Sequence, residues 1–159
     1  MAGINSWENR ISMIEEFTQR NQFALIGTQE GRFDQLKEFE KVCGLKLIDG
    51  HRPWINERMY PSFFVNTEKI NIVNSGDIWL SLTPEIPGSS SFQSSFPRLA
   101  TWIRLVILDQ GIELFAFNVH LDHILESTRL EQIKVLTKSI KQLNKNKIPM
   151  ILLGDFNDS

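Results

Sequence analysis

The sequence has one cysteine, Cys43, so no intrachain disulfide can form. Set beside Val42 and Gly44, that thiol reads as a small core residue at a helix end. No stretch reaches the roughly 18 apolar residues that a membrane span requires. Residues 1–10 show neither an apolar run nor a cleavage pattern, so no signal peptide is read there. Repeats and low-complexity segments are absent. Neither sign of charge is in excess: 17 basic residues against 19 acidic ones give a net charge of -2. Nothing global therefore draws the chain to nucleic acid or to an anionic membrane. Together these absences lead to the expectation of a soluble, cytoplasmic protein without a membrane partner. A phosphate ligand would need its counter-charge from a metal ion or a local cluster.

What is present is ordinary for a folded domain. With 159 residues, 42% apolar and 23% charged, the chain suits one domain with a real core and excludes disorder. Trp7, Ile11, Ile14 and Phe17 recur at helical spacing, with Asn5 or Ser6 placed to cap a helix over 6–21. Residues 23–29 read as a buried strand. Phe33, Leu36, Phe39 and Val42 predict a second helix closed by Gly44. A short strand is expected at 45–48, then loop to Pro61, then strands at 62–65 and 70–73 joined by a turn at Asn66-Thr67. Residues 83–97 hold three prolines, a glycine and five serines, and form the longest loop. Strands at 99–108 and 112–119 flank the hairpin signal Asp109-Gln110-Gly111. Leu130, Ile133, Leu136, Ile140 and Leu143 predict a helix over 126–144, and 148–153 reads as a buried strand before a turn at Gly154–Asn157. The lysines at 134, 138, 141, 145 and 147 read as the solvated face of that helix. This order of elements indicates a mixed α/β sheet protein covered by helices.

Four polar clusters follow strands: Gln29-Glu30, Pro97-Arg98, Asn118-Val-His120-Leu-Asp122-His123 and Gly154-Asp155-Phe-Asn157. Polar residues just past strand carboxyl ends commonly converge on a ligand. Glu30 is either a solvated loop residue or a carboxylate for a hard cation, which asks for one or two such oxygens and water for the rest. With 120 on a strand, 120 and 122 would share a face and set an imidazole beside a carboxylate, able to handle protons or bind phosphate. The alternative is a pair of turn histidines. Asp155 can orient a water and Asn157 can contact a phosphoryl oxygen without adding charge, or the two can form only an Asx turn.

Taken in order, these phrases resemble the endonuclease/exonuclease/phosphatase superfamily, the DNase I-like group, and its bacterial branch in particular. The phrases are Ile26-Gly-Thr-Gln-Glu30, Trp79-Leu-Ser-Leu-Thr-Pro84 with Pro87-Gly88, Pro97-Arg98-Leu-Ala-Thr-Trp102, Asn118-Val-His-Leu-Asp-His123 and Leu153-Gly-Asp-Phe-Asn157. The resemblance implies a DNase I-like α/β sandwich of mixed sheets with outer helices, present in part. It implies Mg²⁺-dependent phosphoester hydrolysis, with Mn²⁺ as an alternative ion, on a phosphorylated substrate of unspecified type. By position it assigns Glu30 and Asp155 to the metal. His120, Asp155 and Asn157 fall to catalysis, and Arg98, His120 and Asn157 to phosphate; Asp122 is left between a site role and shaping the loop. Two of the family's phrases have no counterpart: an opening strand with an asparagine and a closing aspartate-histidine pair. The reading is thus of an incomplete domain over 1–159. Losing groups that act as a unit commonly costs about 10³-fold or more in rate, so little activity is expected of the chain alone. The rival expectation is an inactive remnant or a partner-binding module whose open strand edges meet a missing segment or a second copy.

Overall fold

Odd and even positions of the two longest central strands bury against different partners, and that alternation sets the layers. The computed structural model describes residues 6–158. In order it contains α1 (Trp7–Asn21), β1 (Leu25–Gly31), α2 (Phe33–Cys43), β2 (Lys46–Leu47), β3 (Tyr60–Val65), β4 (Ile70–Trp79), β5 (Leu99–Ile107), β6 (Ile112–His120), α3 (Glu126–Leu143) and β7 (Met150–Asp155). Ala100, Trp102, Phe115, Phe117 and Val119 pack with Leu136 of α3. The intervening residues Ile103, Leu105, Leu114 and Ala116 face the other way and meet Phe63 and Val65 of β3. On the far side of β3, Phe64 and Leu47 receive Ile11 of α1 and Leu36 and Phe39 of α2. The layers therefore run helix, sheet, sheet, helix: an α/β sandwich. Phe63, Phe64 and Phe117 are wholly inaccessible, and each such side chain contributes about 1.5–3 kcal/mol by leaving water.

The first sheet is antiparallel, in the order β1-β3-β2, and the second is mixed, in the order β4-β5-β6-β7, with β6 and β7 parallel. The expected turn at Asn66-Thr67 therefore does not make a hairpin: β3 and β4 lie in different sheets, and the turn carries the chain across the sandwich. β4 runs to Trp79, beyond the expected 70–73, because Asp77 and Ser75 carry the inner face on as polar residues where an apolar pattern was sought. Three further readings need correction. Ser6 sits at the N-cap of α1 without a side-chain cap bond, and Asn5 lies outside the described residues. α3 buries Thr128, Gln132 and Leu136, leaving Leu130 and Ile133 exposed, so its inner stripe mixes polar and apolar residues. β7 is an edge strand, not a buried one: Met150, Ile151 and Leu152 are 50%, 46% and 42% exposed. Among the described residues no helix is long and apolar enough to cross a membrane.

Candidate functional site

Three strand ends build the site. The register of β1 against β3 shifts between Thr28 and Gly31, and Glu30 takes φ 59° there. An irregularity of this kind re-aims a side chain, and it carries the Glu30 carboxylate out of the ladder. On β6 the inner face reads Leu114, Ala116, Asn118, His120, turning from apolar to polar at the carboxyl end. β7 runs parallel to β6 with Asp155 opposite His120. That contact needs a glycine at 154: its φ is 141°, and a Cβ there would lie 2.0 Å from the Val119 carbonyl oxygen. Asp155 is thus the last strand residue. Asn157 comes next at φ 49°, donating its backbone N–H to Asp155 Oδ1 at 2.9 Å and its amide Nδ2 to the Leu121 carbonyl at 2.9 Å. The Asx turn is real, and it leaves Asp155 Oδ2 free. Holding a non-glycine residue at positive φ costs on the order of 1–3 kcal/mol, and such strain gathers at functional sites; Glu30 and Asn157 both bear it.

His120 is the hub. Its Nε2 lies 3.9 Å from Glu30 Oε1 and 3.8 Å from Asp155 Oδ2. Arg98 Nη1 stands 2.9 Å from the same nitrogen, and Arg98 Nη2 stands 2.8 Å from His123 Nδ1. A guanidinium only donates, so both ring nitrogens must accept. His120 is thereby set as the Nδ1–H tautomer and His123 as the Nε2–H tautomer. Burial, then the Arg98 charge, push the His120 pKa below its ordinary value, against the opposing pull of Asp155 and Glu30. Burial lowers Arg98 as well, from a value so high that it stays a cation. Glu30, Arg98, His120 and Asn157 line one cleft, and Asp155 reaches it through His120.

Asp122 does not join them. β6 ends at His120, so the strand alternation that would set 120 and 122 on one face has stopped. The Asp122 carboxylate is fully buried and accepts from the Ile124, Leu125 and Ser95 N–H groups and the Ser94 hydroxyl. Burial alone would raise its pKa, but these donors outweigh it and hold the group at about 2. Its work is to pin the end of the 83–97 loop against the corner after β6, which fixes where Arg98 begins.

Sequence reasoning placed Asn118 in a polar cluster but gave it no role, and it passed over the polar seam beneath it. Asn118 is fully buried; its Nδ2 donates to the Thr28 and Ser62 carbonyls and its Oδ1 accepts from Gln29 Nε2. It stitches β6 to β1 and β3 directly under Glu30 and His120. Deeper in the seam, Arg52 binds Asp77 through two hydrogen bonds of 2.8 Å, and also Ser62 and Thr101. The signal for Asn118 was available: it lies two residues before His120, so a strand there puts both on one face.

The residues fit a hard cation in a limited way. Among the described residues no group of three or more His, Cys, Asp or Glu side chains could hold a metal. The Glu30 and Asp155 carboxylates, however, stand 62% and 47% exposed, with His120 between them and the Arg98 charge acting on both. Two carboxylates completed by water suit Mg²⁺, which seldom takes an all-protein cage.

The arrangement can be compared with known proteins. No family model matches the sequence, and no curated protein matches it. Solved structures do. A mannosyl-6-phosphatase from Bacteroides thetaiotaomicron is 34% identical over 96% of this chain, with a TM-score of 0.88. An endonuclease/exonuclease/phosphatase family protein from the same species is 34% identical over 96%, with a TM-score of 0.86. The chain belongs to the endonuclease/exonuclease/phosphatase superfamily. A superfamily protein from Bacteroides vulgatus, 23% identical, superposes over 99% of the chain with a TM-score of 0.90, which shows the shared fold. The chain spans 58%, 56% and 60% of the lengths of these superfamily members.

Proposed function

We propose that this superfamily chain is built for metal-dependent hydrolysis of a phosphoester. The observation that carries the reading is the meeting of Glu30, Arg98, His120, Asp155 and Asn157, drawn from four separate segments, at one cleft. Arg98 holds the phosphoryl oxygens by trading its two imidazole acceptors for two oxygens, a bidentate geometry that guanidinium favours. Asp155 Oδ2 accepts a hydrogen bond from the attacking water and orients it. Neutral His120 has Nε2 free to take or share a proton once Arg98 has moved to phosphate. Asn157 has a second amide hydrogen for a phosphoryl oxygen, beside the one spent on Leu121. Glu30 and Asp155 would hold Mg²⁺, or Mn²⁺ in its place; when bound, the ion supplies positive charge to the developing oxyanions. The phosphatase named among the relatives supports this class of chemistry.

Inorganic phosphate is the simplest probe. In the presence of Mg²⁺ it should bind one site, seen by ³¹P line broadening, and Arg98→Ala should remove the effect. Equal binding by wild type and Arg98→Ala would contradict the reading. Any Mg²⁺-stimulated hydrolysis of bis(p-nitrophenyl) phosphate should vanish in Asp155→Asn. A second reading, a partner-binding module, is favoured by the exposed apolar edge of β7. It requires concentration-dependent association in sedimentation, and a monomer at every concentration excludes pairing with a second copy.

A further inference from the structure

Two arginines of the cleft have no part in the hydrolysis proposed above. Arg32 and Arg58 line it together with Glu30, Arg98, His120 and Asn157. Among the described residues neither forms an ion pair. Arg32 is exposed and Arg58 is half-buried. A charge partly withdrawn from water without a partner carries a desolvation cost that a bound counter-ion offsets.

The backbone holds both in place. Arg32 is the N-cap residue of α2, two residues past Glu30, and its carbonyl accepts from the Leu36 N–H at 2.9 Å. Arg58 follows Glu57, which holds φ 59°, a conformation uncommon for a non-glycine residue. The Arg58 N–H donates to the Ile55 carbonyl at 3.3 Å, and the Ile55 N–H donates to the hydroxyl of the fully buried Tyr60 at 3.0 Å. Arg32, Asn56, Glu57 and Arg58 also line an adjoining hollow with Asp34 and Trp54, so the two arginines stand where two recesses meet.

The charges of the cleft do not cancel once it is loaded. Under the hydrolase reading Glu30 and Asp155 are taken by the metal and Arg98 by the reacting phosphate. Arg32 and Arg58 then face only the Glu57 carboxylate in the lining, and it lies beyond ion-pair distance of both. Resting on that reading, we infer that Arg32 and Arg58 form a second anion subsite, so that the substrate is a small phosphoester bearing a further phosphate or an equivalent anionic group. A neutral leaving group leaves both guanidiniums without counter-charge. The cleft measures about 700 Å³, within the range of sites that enclose one small ligand. A nucleic-acid strand also repeats its phosphates, but it asks for a basic track that continues past the reacting one. The lysines of α3 line a separate groove that shares no residue with this cleft.

The test uses the full chain with saturating Mg²⁺ and titration calorimetry, with matched melting curves for every variant. The probes are propylphosphonate, which carries one anionic group, and alkane bisphosphonates with their two groups separated by two to six carbons. At least one bisphosphonate should bind roughly tenfold or more tighter than propylphosphonate. That preference should fall in Arg32→Ala and in Arg58→Ala, approach unity when both are changed, and persist in Glu57→Gln. No preference in wild type, or one that survives the double change, overturns the subsite while leaving the phosphate site standing. Oligothymidylate binding tighter than every bisphosphonate overturns the small-substrate class and gives the arginines to a nucleic-acid strand. If propylphosphonate itself does not bind, or binds equally to Arg98→Ala, the hydrolase reading has failed and the subsite falls with it.

Discussion

Arg98 donates to two imidazoles at once, reaching His120 Nε2 at 2.9 Å and His123 Nδ1 at 2.8 Å. One guanidinium therefore fixes two tautomers and lowers the proton affinity of the more buried ring. Long-range ¹H–¹⁵N spectra of the metal-free protein should show His120 as Nδ1–H and His123 as Nε2–H. His120 should titrate below its ordinary pKa, and Arg98→Ala should move that titration upward, since the Arg98 charge is the leading cause of the lowering after burial.

Gly154 makes the β6–β7 contact. Its φ of 141° and a would-be Cβ 2.0 Å from the Val119 carbonyl leave no room for a side chain. Gly154→Ala should cost upward of about 2 kcal/mol through strain and overpacking. Gly111→Ala is the control: its φ is 65° but nothing stands within 4 Å, so only backbone strain of about 1 kcal/mol applies. Urea unfolding of the two variants checks the difference.

Asp77 makes stability depend on acid. Burial would raise its pKa, but Arg52 first and His51 second outweigh that and hold it at about 2. A carboxyl depressed in the folded state contributes stability that is complete above its unfolded value of about 4 and is lost as pH falls through about 2; the contribution is roughly 2 kcal/mol. Wild type should lose urea resistance across that window. Asp77→Asn should be weaker at neutral pH, by several kcal/mol on the order of 3–5 for a broken buried pair, and should lose less on acidification.

Asn118 should behave as a positioning residue. Asn118→Ala leaves the Gln29 amide and the Thr28 and Ser62 carbonyls without their partner, a loss of about 1–3 kcal/mol for buried groups. Because Gln29 precedes Glu30, Mg²⁺ affinity should fall as well, and Asn118→Asp, which restores only acceptors, should not rescue it. Unaltered Mg²⁺ affinity in a folded Asn118→Ala variant would reduce Asn118 to a structural role.

Much of this was legible in the sequence because period and punctuation agree there. The 3.6-residue spacing of Phe33, Leu36, Phe39 and Val42 with Gly44 after it gave α2, and Asp109-Gln-Gly111 between two β-branched runs gave the β5–β6 hairpin. Glu30, His120 and Asn157 could be picked out from the sequence because each sits at or just past the carboxyl end of a strand, whereas Arg98 stands immediately before β5 and reaches the same cleft from a strand's start. What sequence hid was tertiary. Nothing local says that the turn after Val65 leaves one sheet for another. The polar inner face of β4 is satisfied by Arg52, whose partners come from three strands, β3, β4 and β5. The sequence left Asp122 between a site role and shaping the loop, and only the turn at the end of β6, which points it at Ser94 and Ser95, decides for the loop.

The claim on which the rest depends is that Glu30 and Asp155, brought to either side of His120, hold one divalent cation. Calorimetric titration of Mg²⁺ into folded wild type and Glu30→Gln tests it, with matched melting curves as control. The account predicts a single saturable site in wild type, weakened at least roughly tenfold in the variant through loss of a first-row carboxylate oxygen. Equal affinity in the two proteins, or no saturable binding by wild type, would contradict it.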